Sequence, residues 1–209
     1  MRAFGYDGPI MSFLAKVMDL FFLNILILVF SIPLITIGAV TTAAHFTSLK
    51  IRRDEGHVWS CFWRSFKQNF KQSTCIWLIF LVFSLISIVF YNIAIKMGGV
   101  LSPMISVTIM SVFLFVAILY VWIMPLQGRF INTIKGNFKN SFFMTFRYLF
   151  RTLLMVLVNF LPIGTFYLCV VITQMRGFWI WSMFGISVPI YLCVMIYDKI
   201  FEKLEEMVS

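Results

Sequence analysis

Five long stretches of the chain contain no aspartate, glutamate, lysine or arginine: residues 20–49, 72–95, 97–128, 152–175 and 177–197. Each can cross the hydrocarbon core of a bilayer, which is about 30 Å thick and takes about 20 helical residues. The composition agrees, because 12% of the residues are charged, against about 25% in soluble domains. The sequence therefore predicts an all-α polytopic membrane protein, a helical bundle of five transmembrane helices.

The predicted organisation is a single integral membrane domain over residues 1–209. Residues 1–16 mix apolar side chains with Arg2, Asp7 and Lys16, which favours an interfacial lead-in. The spans are expected at about residues 17–49, with a kink, and at 72–96, 100–127, 150–174 and 177–198.

The basic residues are distributed unevenly between the two sides of this arrangement. Thirteen lysines and arginines fall between spans one and two, between spans three and four, or after span five, against four on the other side. Positive charge accumulates in cytoplasmic loops. We therefore expect a multi-pass protein with its N-terminus outside and its C-terminus in the cytoplasm. We attribute the formal charge of +9 to this topology. The expected partner is the lipid bilayer, and no nucleic acid is expected.

The first apolar run is interrupted between Ser31 and Gly38. Pro33 lacks a backbone donor and Gly38 tolerates unusual backbone angles, so a kink or break is expected. One interpretation is a packing kink at which small residues admit a neighbouring helix. The other is a broken helix that lines a substrate path. The candidate kink or cavity residues are Ser31, Pro33, Thr36, Gly38, Thr41, Thr42, His45 and, on span four, Asn159.

The first basic loop carries an amphipathic helix pattern. Phe62, Phe66 and Phe70 recur at every fourth position, and basic residues flank them. Such a helix suits the cytoplasmic membrane surface. A shift of 80 residues places the same pattern on Phe142, Phe146 and Phe150. The candidate interfacial residues are Trp59, Phe62, Trp63, Phe66, Lys67, Phe70, Lys71, Phe146, Arg147, Phe150 and Arg151.

This internal similarity predicts two parallel two-span repeats followed by one further span. In each repeat, an inward span leads through an amphipathic cytoplasmic helix to an outward span. Deeper polar residues, such as Asn24, are expected to form hydrogen bonds between helices.

The sequence contains no recognisable catalytic pattern. It has two histidines, His45 and His57, and its acidic residues lie at span ends, in the termini and in one loop. Catalysis by acid, base or nucleophile needs such groups in convergent positions, and phosphate-binding glycine motifs are missing. The four cysteines lack metal-ligand spacing. We therefore expect a protein that is not an enzyme, with no catalytic residues, cofactor or metal site.

Several short motifs carry a family resemblance: Asp19-Leu20, Leu23-Asn24, Ser31-Ile-Pro33, Thr36-Ile-Gly38, Thr42-Ala43-Ala44, and Phe62 with residues 66–72. With them the chain resembles the YesL-like family of bacterial membrane proteins, a domain of unknown function. Members are typically encoded beside carbohydrate-uptake genes in Gram-positive bacteria.

The resemblance implies a plasma-membrane accessory or scaffold protein for carbohydrate uptake that partners an ABC sugar permease. Neither basic loop contains the Glu-Ala-Ala sequence with which such permeases dock on their ATPase, so the permease itself is not expected. The alternative is a small channel or facilitator for a neutral solute. Its path would be lined by Ser31, Thr36, Thr41, Thr42 and His45 on span one and by Asn159 on span four.

Overall fold

A computed structural model describes residues 9–130, 132–171 and 178–208, and this part of the chain is helical without strands. The helices are α1 (Pro9–Phe30), α2 (Ile37–Arg52), α3 (Val58–Met97), α4 (Leu101–Arg129), α5 (Ile134–Arg147), α6 (Leu149–Val171), α7 (Phe178–Phe184) and α8 (Ser187–Val208). A short 3₁₀ helix, Leu34–Thr36, precedes α2. The predicted helical class is confirmed.

Within the described residues, six helices rather than the predicted five are long and apolar enough to cross a membrane. The additional one arises from residues 17–49, which were predicted to form a single kinked span. They divide between α1 and α2. The six are Ile10–Phe30, Leu34–Arg52, Val58–Met97, Leu101–Arg129, Leu149–Val171 and Trp181–Leu204.

Helices α1 and α2 form an antiparallel hairpin. The Lys16 ammonium lies 2.9 Å from the Asp54 carboxylate, whereas one continuous helix would separate these residues by about 57 Å. The chain reverses at Pro33, whose carbonyl accepts hydrogen bonds from the Thr36 backbone N–H at 3.0 Å and from the Thr36 hydroxyl at 2.6 Å. These bonds satisfy the Pro33 carbonyl within the turn. The predicted kink is therefore a reversal of the chain.

This hairpin also bears on the predicted orientation. The start of α1 lies beside the loop 53–57, so it shares a side with the first basic loop. The N-terminal lead-in was predicted on the opposite side from that loop, whereas the ion pair brings residue 16 next to it; the orientation in the membrane stays a prediction. Of the lead-in, residues 1–8 lie outside the described part, and the rest already belongs to α1.

Helix α2 is the buried centre of the fold. Ala39, Ala43 and Ala44 have no exposed surface, and they pack in one core with side chains from α1, α3 and α8. Gly38 permits the closest approach, because a Cβ atom there would lie 2.3 Å from the Ser73 carbonyl oxygen. Small residues that let helix backbones approach are typical of membrane bundles. The packing function expected for this stretch is thus present.

Helix α3 continues unbroken through the predicted amphipathic segment and the second span. Its 40 residues correspond to about 60 Å. Phe62 and Phe66 are buried, and their rings lie 5.6 and 5.5 Å from the Phe30 ring. The aromatic face was expected on the membrane surface. It covers the α1–α2 hairpin instead, because that hairpin lies against the same side of α3.

Helix α5 buries the opposite kind of face. Asn137, Ser141 and Thr145 point inward, while Phe142 and Phe146 are 44% and 57% exposed. Tyr148, with φ −122° and ψ 45°, separates α5 from α6, whereas α3 has no such break. The two segments that the 80-residue shift aligns therefore pack differently, although each follows an apolar helix.

Helix α8 is attached to α1 at its start and to α2 near its middle, where the Tyr197 hydroxyl lies 3.3 Å from His45 Nδ1. The buried Asn24 carboxamide oxygen accepts hydrogen bonds from the Ile186 and Ser187 backbone N–H groups at 3.0 and 2.8 Å, and its amide donates to the Ser182 carbonyl at 2.7 Å. The interhelical role predicted for Asn24 is confirmed. A side-chain oxygen at this place acts as an N-cap for α8. The predicted boundary between spans four and five lies in residues 172–177, outside the described part.

Candidate functional site

A cavity of about 420 Å³ lies between α2, α4, α6 and α8. We call it the central cavity. It is lined by Thr41, His45, Phe80, Leu114, Ala117, Ile118, Tyr120, Val121, Met124, Val156, Asn159, Phe160, Pro162, Ile163, Ile186, Pro189 and Ile190.

Four polar side chains line the central cavity. His45 is 7% exposed, and its Nδ1 lies 3.3 Å from the Tyr197 hydroxyl. Thr41 donates to its own helix, at 2.9 Å from the Ile37 carbonyl. Asn159 on α6 donates to the Met155 carbonyl at 2.8 Å. With Tyr120 from α4, these groups offer hydrogen-bonding atoms on three helices.

The remaining lining is apolar. Leu114 on α4 and Phe160 and Ile163 on α6 are 50%, 58% and 66% exposed, so they form the rim of the cavity. Both helices are apolar enough to cross a membrane. The rim therefore faces the region that lipid chains would occupy.

The predicted kink and cavity residues separate into four groups. Thr41, His45 and Asn159 meet at the central cavity. Thr42 is directed elsewhere, with its hydroxyl 2.9 Å from the Ser73 hydroxyl. Gly38 is a packing position, as described above. The α1–α2 turn holds the rest: Ser31, Pro33 and Thr36.

The predicted interfacial residues divide between core and surface. On α3, Phe62 and Phe66 are buried, Phe70 and Trp63 are half-buried and Trp59 is 48% exposed. Lys67 and Lys71 are exposed, and the Lys67 ammonium lies 4.9 Å from the centre of the Trp63 ring.

Around the α5–α6 junction the aromatic and basic side chains stay at the surface. Phe146 and Phe150 are 57% and 75% exposed. The guanidinium groups of Arg147 and Arg151 lie 5.8 and 6.0 Å from the centre of the Tyr148 ring. Cation–π contacts of this kind are common for arginine. Aromatic and basic side chains therefore share this surface, and its location at a membrane interface stays a prediction.

A buried amide network was missed in the sequence. The Gln127 amide nitrogen donates to Asn69 Oδ1 at 3.0 Å and to Gln72 Oε1 at 3.1 Å. Its oxygen accepts from the Asn137 amide, and the Gln72 amide reaches the Asn132 carbonyl at 2.6 Å. The network connects α3, α4 and α5. Asn69 and Gln72 lie three residues apart, hence on one helix face, and this spacing was the available signal.

A second cluster that was missed joins the end of α2 and the loop after it to the middle of α8. The Asp198 carboxylate accepts from Arg52 Nε at 2.7 Å and from Arg53 Nη2 at 2.8 Å. Its side chain is 6% exposed. A buried carboxylate needs such partners. The sequence signal was its position directly after the last charge-free stretch.

The loop 53–57 between α2 and α3 is held by charge and by backbone geometry. Asp54 and Gly56 have φ angles of 55° and 79°. The ammonium group of Lys50, on α2, donates a hydrogen bond to the Glu55 carboxylate. This bond lowers the pKa of Glu55 below its ordinary value. Within the described ranges, there is no group of three or more His, Cys, Asp or Glu side chains that could hold a metal ion.

The fold and the cavity define a multi-pass helical membrane protein. A family model described as "Protein of unknown function, DUF624" matches residues 20–93. The matched segment covers the second half of α1, all of α2 and α3 as far as Ile93. It therefore contains the turn of the α1–α2 hairpin, the Gly38 crossing and two of the four polar side chains of the cavity, Thr41 and His45. Neither a curated protein nor a solved structure matches the chain.

Proposed function

We propose that the protein is a non-enzymatic accessory or scaffold protein of the bacterial plasma membrane that assists carbohydrate uptake by packing against an ABC sugar permease. The motif resemblance and the domain match over residues 20–93 support the family context. The structural feature that supports a scaffold role is the projecting end of the α3–α4 hairpin.

This hairpin end has little packing of its own. Within residues 77–118, all of which the structure describes, Ala94 is the only buried residue. Exposed apolar side chains occur on both helices, among them Leu85 at 55% and Val107 at 65%. The hydroxyls of Ser87 and Ser111 bond carbonyls of their own helices at 2.9 and 2.8 Å. Helix association in membranes depends on close packing and on small polar residues, so this surface suits another membrane helix.

The test is photocrosslinking in bacterial membranes that contain a sugar permease and its ATPase. A photoreactive amino acid at Leu85 or Val107 should capture a permease subunit. A matched position on α6, Leu157, is 65% exposed but lies outside the hairpin and should capture lipid. The protein can also be purified gently from cells that express both the permease and its ATPase. Recovery of the protein with neither of them bound would contradict the proposal.

The second candidate function is a facilitator for a neutral solute, and the central cavity favours it. Thr41, His45 and Asn159 converge there from helices that are distant in sequence. Reconstituted liposomes should then take up a small neutral solute. Thr41→Val and Asn159→Leu should slow this uptake. Thr108→Val is the control, because Thr108 is exposed and bonds its own helix at 2.9 Å. Absence of flux in the unaltered protein would exclude the facilitator.

The basic loops favour a cytoplasmic location for the side that carries residues 53–57 and the end of α8. Because Lys16 contacts Asp54, this orientation also places the start of α1 on the cytoplasmic side.

A further inference from the structure

We propose that the central cavity binds one uncharged amphiphile that enters from the bilayer. Its hydroxyl or carbonyl head lies beside His45 and Thr41, and its apolar chain extends between α4 and α6. This inference concerns a ligand of the cavity and does not depend on the accessory function.

Buried polar side chains indicate a polar head group. One ring nitrogen of His45 lies 3.3 Å from the Tyr197 hydroxyl, and the His45 side chain, which is 7% exposed, lines the cavity. The Tyr120 hydroxyl lines the same cavity, and it is buried without a hydrogen-bond partner among the described residues. A buried polar atom without a partner is unfavourable. A ligand hydroxyl or carbonyl in this part of the cavity would satisfy it.

The lining excludes a charged head group. None of the described residues around the cavity is an aspartate, glutamate, lysine or arginine. An ion placed there would lose its hydration without a countercharge. A phosphate, an ammonium or a carboxylate is therefore a poor fit, and a neutral hydroxyl or ester is a good one.

The rim determines the route of entry. Leu114, Phe160 and Ile163 are at least half exposed and lie on helices with the composition of membrane spans. A ligand that passes between them comes from the hydrocarbon region, where an apolar chain is favoured. The volume of about 420 Å³ lies within the range of roughly 300–1,000 Å³ that is usual for small-molecule sites.

The experiment uses the full chain in lipid nanodiscs and a monoacylglycerol that carries a photoreactive diazirine in its chain and an alkyne tag. Labelling should concentrate on residues 114–121 and 156–163. Excess unlabelled monoacylglycerol should suppress it, whereas a fatty-acid carboxylate and a free sugar should not.

Two variants that fill the space test the location. Ala117→Trp on α4 should reduce the competed labelling about tenfold, the effect of losing about 1.4 kcal/mol of binding. Val156→Trp on α6 is the second variant, in case the first fails to fold. The control is Val29→Trp on α1, because Val29 is 53% exposed and lies outside the cavity. Its labelling should equal that of the unaltered protein.

His45→Phe tests the head group. In the unaltered protein, monoacylglycerol should compete about tenfold better than an alkane of equal chain length, a ratio that one hydrogen bond can supply. In His45→Phe this preference should disappear. The proposal would be overturned if all exposed helix faces were labelled equally and Ala117→Trp did not change this labelling. That result would show only lipid that surrounds the protein. Competition by a free sugar would also overturn it, in favour of a solute path.

Discussion

Single residues set the closest contacts of this bundle. Gly38 brings α2 against α3, and Asn24 connects α1 to the start of α8. Each acts through an atomic detail that few other side chains could reproduce. In Gly38 the detail is the missing Cβ atom, and in Asn24 it is a carboxamide oxygen between two backbone N–H groups.

Gly38→Ala should destabilise the protein. The added Cβ would lie 2.3 Å from the Ser73 carbonyl oxygen and 2.5 Å from the Trp77 Cβ, and overpacking of this kind costs about 1–3 kcal/mol. Thermal unfolding in detergent measures the effect. Gly164→Ala on α6 is the matched control, because nothing lies within 4 Å of its added Cβ. Equal stability of the two variants would contradict the close crossing.

Asn24→Leu should also lower the unfolding temperature. It would remove the acceptor for the Ile186 and Ser187 N–H groups, and an unpaired buried polar group costs about 1–3 kcal/mol. Asn92→Leu is the control, since the exposed Asn92 amide bonds only the Ile88 carbonyl of its own helix, at 2.8 Å. If Asn92→Leu lowered the unfolding temperature as much as Asn24→Leu, the capping contact would add nothing to the stability of the protein.

At the scale of elements, the important feature is that similar sequence segments bury different faces. Phe62 is fully buried, and its counterpart under the 80-residue shift, Phe142, is 44% exposed. Both segments have a phenylalanine at every fourth position and basic residues beside the last two of these phenylalanines. What differs is the neighbour, because the α1–α2 hairpin covers the aromatic face of α3, and the polar face of α5 meets the amide network of α4.

The α1–α2 hairpin can be tested by crosslinking. With the native cysteines replaced, Lys16→Cys and Asp54→Cys should react together with a short bismaleimide, because the two side chains they replace lie in contact. The control pair is Phe13→Cys with Met97→Cys, where Met97 ends α3 at the far hairpin turn. Crosslinking of the control pair alone would support one continuous helix over residues 17–49.

At the scale of the whole molecule, the hairpin makes the number of apolar helices even within the described part. Lys16, Asp54 and Asp198 belong to one side, because Lys16 pairs with Asp54 and Arg53 of the same loop pairs with Asp198. The α3–α4 turn at Gly98 and Gly99, with φ angles of 65° and 74°, lies at the far end of a helix of about 60 Å.

Cysteine labelling with a membrane-impermeant maleimide tests this arrangement. Lys16→Cys and Glu202→Cys should be labelled from the same side of sealed vesicles, and Met97→Cys from the opposite side. The positive-inside rule further predicts that the first pair reacts in inside-out vesicles. Labelling of Lys16→Cys together with Met97→Cys would favour the five-span orientation.

The sequence by itself determined the class of protein and the places where regularity ends. The absence of charged residues from a long stretch is a local property of the sequence. Local composition also determines whether a helix can cross a bilayer. The same holds for the break at Pro33, the small residues around Gly38 and the polar atoms of Thr41, His45 and Asn159. Each was identified from residue type and position alone.

Only the tertiary structure decided what these features do. A proline break is compatible with a bend or a reversal, and the contact between Lys16 and Asp54 distinguishes them. An amphipathic aromatic face can cover protein or lipid, and its neighbours decide which. The central cavity depends on residues more than 100 positions apart, such as His45 and Asn159. Such contacts arise from packing between distant segments, which local composition does not specify.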